Sequence, residues 1–141
     1  MRYLLDTNVV SETRRRRPAP EVLAWLAAAR RARDPLFVSV LVLGEVRRGI
    51  ERLRVRDPPQ AAALERWLAE LRVRFRERMI SIDWEIAEAW GSMAFATQPP
   101  VIDGLMAATA KVHGLVLVTR NVADMARTGV PVLNPWDPPE P

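Results

Sequence analysis

Four acids sit in apolar surroundings: Asp6 behind Leu4-Leu5, Glu45 flanked by Leu43 and Val46, Asp103 behind Val101-Ile102, and Asp124 ahead of Met125-Ala126. Carboxylates in such settings repel one another and take up protons unless a positive charge compensates them. No lysine or histidine lies in sequence near any of the four, so a divalent cation is the natural compensator. With no cysteine and one histidine, His113, the donor set is all oxygen, which selects a hard ion such as Mg²⁺ or Mn²⁺ over zinc. Held in this way, one ion, or two about 3.5–4 Å apart, brings an acidified water and positive charge to a phosphorus centre. Thr7, Asn8, Thr119 and Asn121 carry the short polar groups suited to orienting carboxylates or water, and of these Thr119 and Asn121 join the four acids as candidate catalytic residues.

Each residue also has a plainer use. Asp6 and Asp103 can cap helices, Glu45 can pair with Arg47 or Arg48, Asp124 can be simply solvated, and the Thr and Asn residues are turn formers. What favours chemistry is position. Tyr3-Leu4-Leu5 reads as a short buried strand ending at Asp6, and Leu115-Val116-Leu117-Val118-Thr119 as a strand covered on both faces, ending just before Asn121 and Asp124. Leu36–Val40 is a second strand whose Ser39 can cap a helix from Leu41 to Arg54 with Glu45 in its early turns. Gln60–Arg76 is the strongest helical stripe, Met79–Ile82 a short third strand, and Glu85–Thr97 a further helix ended by Pro99-Pro100. Val101–His113 is a helix with Asp103 in its first turn, closed by Gly114, and Val130–Leu133 is a last edge strand. Strands alternating with helices predict an α/β fold, a three-layer sandwich with a parallel sheet of about five strands between helices. In such sheets ligands bind beyond the carboxyl ends of the strands, where three of the candidate residues fall.

A chain of 141 residues, 49% hydrophobic, with no repeat and no linker, fits one domain over residues 1–141, with a proline-rich tail from about residue 134. Met1-Arg2 is followed by only Tyr3-Leu4-Leu5 before the first acid, too short an apolar stretch for a signal peptide or membrane span, so the expected setting is cytoplasmic with no membrane association. The net charge of +4 rests on twenty arginines against the single Lys111. Arginine presents a rigid fork of donors to phosphate, so a nucleic-acid partner is compatible with this composition. The run Arg14–Arg17 reads equally well as a solvated face or as a phosphate-contacting patch. Among the five tryptophans, Trp136 near the tail is the one expected to offer an exposed contact.

Four segments, in this order and spanning nearly the whole chain, resemble the PIN-domain family, and more narrowly the VapC-type toxins of bacterial toxin–antitoxin pairs: Tyr3–Glu12 (YLLDTNVVSE), Val38–Glu45 (VSVLVLGE), Pro100–Ala110 (PVIDGLMAATA) and Thr119–Asp124 (TRNVAD). The resemblance implies Mg²⁺ or Mn²⁺ held by Asp6, Glu45, Asp103 and Asp124, and hydrolysis of RNA phosphodiesters. It also implies a homodimer, a small co-expressed VapB-like antitoxin filling the acidic groove, and contact with operator DNA only through that antitoxin. The chain departs from the pattern at Val42, where many relatives carry Thr or Ser, at Asn121, where an acid is common so that Asp124 serves from a turn later, and at Met125 in place of an aromatic residue.

Three other readings compete. Asp6-Thr7-Asn8 after a first strand has the look of a haloacid-dehalogenase-like phosphatase, but Asn8 stands where the second acid of an Asp-x-Asp pair is needed. A catalytically inactive PIN-like module binding RNA or an antitoxin is the main alternative, against which the presence of all four acids argues. A nuclease of the same fold directed at DNA is the third.

Overall fold

The computed structural model describes residues 1–93 and 98–138. Five strands, β1 (Tyr3–Leu5), β2 (Leu36–Ser39), β3 (Met79–Ile80), β4 (Val116–Val118) and β5 (Val132–Leu133), form one sheet in the order β3-β2-β1-β4-β5. Every pairing is parallel, with Leu4 opposite both Phe37 and Leu117. Tyr3, Leu4 and Leu5 are all buried, as are Leu117 and Val118. Successive strand residues face opposite sides, so burial of consecutive positions means that helices cover both faces of the sheet. The chain winds outward from β1 to β2 and β3, then returns to lay β4 on the other flank of β1. The order therefore reverses between β1 and β4, and a crevice opens there beyond their carboxyl ends.

The helices are α1 (Thr7–Glu12), α2 (Pro20–Arg31), α3 (Val40–Arg56), α4 (Pro58–Arg74), α5 (Trp84–Gly91), α6 (Val101–His113) and α7 (Val122–Ala126). Local chemistry sets their ends. Ser39 accepts from the Leu41 N–H at 3.1 Å, so β2 stops one residue earlier than its β-branched run suggests and Val40 opens α3. Asp57 accepts from Gln60 N, and the two prolines after it supply a preset first turn, so α4 begins at Pro58 rather than Gln60. Asp83 caps α5 through Ile86 N. That helix ends at Gly91, and residues 94–97 of the expected longer helix lie outside the described residues. Gly114, at φ 63°, makes the left-handed turn that closes α6.

The chain end differs from a loose tail up to Asp137. The Asn134 side chain accepts from Trp136 N at 3.0 Å, Pro135 is buried, and the Arg120 guanidinium lies 4.9 Å from the centre of the Trp136 ring. Trp136 is thus half-buried beneath an arginine, and Trp84 is the exposed tryptophan, at 71%.

Gly104 follows Asp103 in the first turn of α6 and lets α5 come close. A Cβ there would stand 2.9 Å from Trp90 Cδ1 and 3.0 Å from its Nε1. We predict that Gly104→Ala lowers stability by about 1–3 kcal/mol, read as a urea midpoint shift, and lowers activity further because α6 carries Asp103. A variant with wild-type midpoint and activity would show that Trp90 simply swings aside.

Candidate active site

The crevice at the carboxyl ends of β1 and β4 is built around Asp6. Its backbone N–H still donates to Val118 O at 2.9 Å, the last rung between the two strands. The side chain then turns into the crevice, 5% exposed, and caps α1 by accepting from Thr7 N at 2.7 Å on Oδ1. Its Oδ2 accepts from the Thr119 hydroxyl at 2.8 Å. Thr119, fully buried at the end of β4, in turn accepts from Asn121 N at 3.0 Å. Asn8 completes the ring with longer 3.5 Å contacts from Nδ2 to Asp6 Oδ2 and Thr119 Oγ1, while its Oδ1 accepts from Arg120 N. Capping therefore does not compete with a site role for Asp6: one oxygen caps, and the other faces Thr119.

Glu45 reaches the same crevice from the second turn of α3. Its Oε1 accepts from the Thr7 hydroxyl at 2.6 Å. The plainer use expected for it, pairing with Arg47 or Arg48, is not what is found. Arg47 pairs instead with Glu51 and, at 2.8 Å, with Glu65 of α4. Asp103 lies in the first turn of α6 without capping it, since Pro100 holds the cap position and bears no side-chain cap bond. Asp124, in the first turn of α7, is exposed.

Electrostatics ties the four together. Burial raises the Asp103 carboxyl above its ordinary range, and the charges of Asp6, Glu45 and Asp124 raise it further. Asp6 is also raised, by burial first and by Glu45 last, although the hydrogen bonds from Thr119 and Thr7 pull the other way. Among the described residues no arginine or lysine forms an ion pair with any of the four. A concentration of like charge at the mouth of a sheet, with no ion pair to relieve it, is the environment that a cation neutralises. The donor chemistry thus fits a hard divalent ion. No three of the acids, among the described residues, stand close enough to cage an ion as they are.

The sequence candidates gather here to different degrees. Asp6, Glu45, Thr7, Asn8 and Thr119 are joined by hydrogen bonds at the crevice, while Asp103 and Asp124 are linked to it through charge. Asn121 contributes its backbone N–H, and its side chain makes no cap bond to α7. Glu12 was not anticipated as a functional residue. It is 4% exposed, accepts from Ala19 N at 2.9 Å and pairs with Arg15 at 3.3 Å, clamping the loop that carries Arg14–Arg17. The only sequence signal for it is an acid one helical turn beyond the buried Val9. We predict that Glu12→Ala, which leaves the Ala19 N–H without its buried acceptor, lowers stability by about 1–3 kcal/mol, seen as a reduced thermal midpoint; an unchanged midpoint would mean that the loop holds without the clamp.

Comparison with known proteins follows the same lines. The family model described as PIN domain matches residues 3–130. The protein named VapC ribonuclease Y4jK, from Sinorhizobium fredii, is 31% identical over 140 residues, covering 96% of this chain and 98% of that one. Toxin FitB of Neisseria gonorrhoeae is 30% identical over 138 residues, covering 94% and 97%. Among solved structures, one of FitAB bound to a DNA fragment superposes with a TM-score of 0.85 at 27% identity, covering 99% of each chain.

Proposed function

Because the chain belongs to the PIN-domain family, we propose that it is a divalent-metal-dependent endoribonuclease, the toxin of a VapBC-type toxin–antitoxin pair. The single observation that carries the reading is that Thr7 ties Asp6 and Glu45 together beyond the end of β1, where their charges and that of Asp124 raise the Asp103 carboxyl and none of the four acids has an ion pair among the described residues. Two relatives spanning nearly the whole chain, one named a VapC ribonuclease and one a toxin, support the substrate and the role.

On this reading Asp6, Glu45, Asp103 and Asp124 would hold Mg²⁺ or Mn²⁺. The ion when bound supplies Lewis acidity and positive charge toward the phosphodiester. The chain's own residues arrange the donors. Thr119 and the Thr7 N–H fix both oxygens of Asp6, so its carboxylate presents one orientation. The Thr7 hydroxyl holds Glu45 in the same manner, and Thr7 thereby sets the spacing of the two acids from one residue. The Asn8 side chain and the Asn121 backbone N–H hold Thr119 in turn, so a substitution at Asn8 acts through Thr119 and Asp6. Asp124, exposed in the first turn of α7, would meet an ion from the solvent side.

The reading extends to partners. A small co-expressed VapB-like antitoxin, homodimer formation, contact with operator DNA only through the antitoxin, a single domain with its tail from about residue 134, and a cytoplasmic setting belong to it. A groove lined by Val40, Leu41, Gly44 and Ile102, with Arg48 and Arg52 beside Glu45, supports a protein partner at the crevice. No described helix is long and apolar enough to cross a membrane.

The test incubates the purified protein, freed of any antitoxin, with a structured RNA pool and Mg²⁺ or Mn²⁺, beside EDTA and an identically prepared Asp6→Asn variant. Metal-dependent cleavage that the variant lacks supports the reading, and equal cleavage by both proteins marks contamination. The inactive-module reading draws on the acids not standing in a ready cage. It prevails if the wild type neither cuts RNA nor binds metal.

A further inference from the structure

Arg15, Arg16 and Arg17 of the arginine run are exposed and Arg14 is half-buried, but the run is held in one shape. It forms a tight loop after α1, in which the Thr13 hydroxyl donates to Val10 O at 2.7 Å and the Arg14 and Arg15 N–H groups return to Ser11 O and Glu12 O. The buried Glu12 then fastens the far side of the loop through Ala19 N. Holding a run of like charges in one shape opposes their mutual repulsion, and a buried carboxylate is the device used here to do it.

The loop faces α3 across an open groove of about 470 Å³. One end of the groove is the Thr7–Glu45 pair of the crevice, and its walls carry Arg14, Arg15 and Arg16 from the loop and Arg52 and Arg56 from α3. Glu45, Gly49, Arg52 and Arg56 are spaced four, three and four apart, so they form one stripe along α3. At 1.5 Å per residue the stripe runs about 16 Å from the acid outward, a span that takes more than one nucleotide.

The ion pairing of α3 separates two kinds of arginine. Arg47 and Arg54 are neutralised by Glu51 and Glu65. Arg16, Arg52 and Arg56 have no ion pair among the described residues. Arg14 lies over the Trp67 ring, 5.7 Å from its centre, and is held at the groove wall. At Gly49 the helix surface is open, since a Cβ there would meet nothing within 4 Å.

We propose that this groove, from Thr7 and Glu45 past Arg16, Arg52 and Arg56, is the track along which the backbone of single-stranded RNA lies on one side of the bond to be cut. The proposal rests on the ribonuclease reading for the identity of the polyanion. Unneutralised forks of N–H donors along a line that leads into the acids match a chain of phosphates that delivers one of them to the crevice. An acidic protein segment is the other polyanion that such a surface could take, and the test separates it.

The experiment measures binding in EDTA, where no cleavage occurs, by anisotropy of a labelled single-stranded RNA at several salt concentrations. A hexaglutamate peptide serves as competitor. Arg16→Gln/Arg52→Gln/Arg56→Gln is compared with wild type and with Arg30→Gln/Arg72→Gln/Arg74→Gln, which removes the same charge at exposed positions of α2 and α4 outside the groove, Arg30 and Arg74 lying beside Pro35 and Leu36 at the start of β2. Each phosphate contact contributes about 0.7 to the slope of log affinity against log salt for single strands, so the groove variant should lose about 2 from that slope and about tenfold or more in affinity. The charge-matched control should keep the wild-type slope. Gly49→Leu, which removes no charge and adds bulk at the open surface in a helix it suits, should weaken RNA binding while the thermal midpoint is kept.

Equal losses in the groove variant and the control, or a groove variant that binds as wild type does, overturn the track. So does hexaglutamate competing as well as unlabelled RNA of equal charge, which would assign the groove to an acidic protein segment. Cleavage with Mg²⁺ is scored separately. RNA binding through the groove without cleavage would remove the ribonuclease reading and leave the track, whereas cleavage with an unchanged KM in the groove variant would remove the track and leave the ribonuclease.

Discussion

Asp6→Asn is expected to reduce metal-dependent RNA cleavage by about 10³-fold, the order lost when a preorganised group acting on the transition state is removed, while leaving the protein folded. The side chain is nearly the same size, and the amide oxygen can still accept from Thr7 N or from the Thr119 hydroxyl. What disappears is one negative charge in a crevice that has too many. The same substitution should therefore raise the thermal midpoint of the metal-free protein near neutral pH, because burial and the Glu45 charge already disfavour an ionised Asp6. Loss of activity together with a gain of metal-free stability is a signature that a purely structural residue would not give. A variant with lost activity and a lowered midpoint would instead make Asp6 a cap whose removal disorders α1, and retained activity would remove it from the site altogether.

The parts of this site that depend on neighbours in sequence were legible, and those that depend on neighbours in space were not. Tyr3-Leu4-Leu5 followed by Asp-Thr-Asn carries its own meaning, since a three-residue apolar run ending in capping residues places an acid at the end of a buried strand. Ser39 marked the start of α3 and so the turn on which Glu45 stands. The fold class followed from alternating strand and helix patterns, and the strands came out shorter than their apolar runs wherever a cap or an edge ended the pairing, as at Val40 and at Val130. By contrast, the fate of the α3 arginines is decided by Glu65, which is supplied by α4 and lies eighteen residues from Arg47. Nearness in sequence alone offered Glu45 as a partner for Arg47 or Arg48, and the packing of α3 on α4 gave Arg47 to Glu65 instead. Glu12 was opaque for a similar reason. An acid at the end of a short helix looks solvated until the chain doubles back and brings Ala19 onto it. The separation of unpaired from neutralised arginines, on which the proposed RNA track depends, exists only in three dimensions.

Metal should stabilise the protein in a manner that depends on pH, and the direction follows from the two raised carboxyls. Asp6 and Asp103 bind their protons more tightly folded than unfolded. The metal-free protein is accordingly helped most at low pH, below the ordinary carboxylate range, and loses that contribution as pH rises through the raised values. A cation competes with those protons for the same oxygens, so its affinity increases over the same interval. With Mn²⁺ or Mg²⁺ at about 100 times its dissociation constant near pH 8, stabilisation of about 2.7 kcal/mol is expected, and it should shrink steadily toward pH 4. Thermal melts with and without metal across that range would trace the difference, with Asp103→Asn as the comparison. That variant removes a ligand and also relieves the repulsion from Asp6, Glu45 and Asp124, so its metal-free midpoint near pH 8 should exceed that of wild type while its response to metal falls. A metal response equal at pH 4 and pH 8, or undiminished in Asp103→Asn, would place the bound ion away from the four acids, and the crevice would then need another explanation for its unbalanced charge.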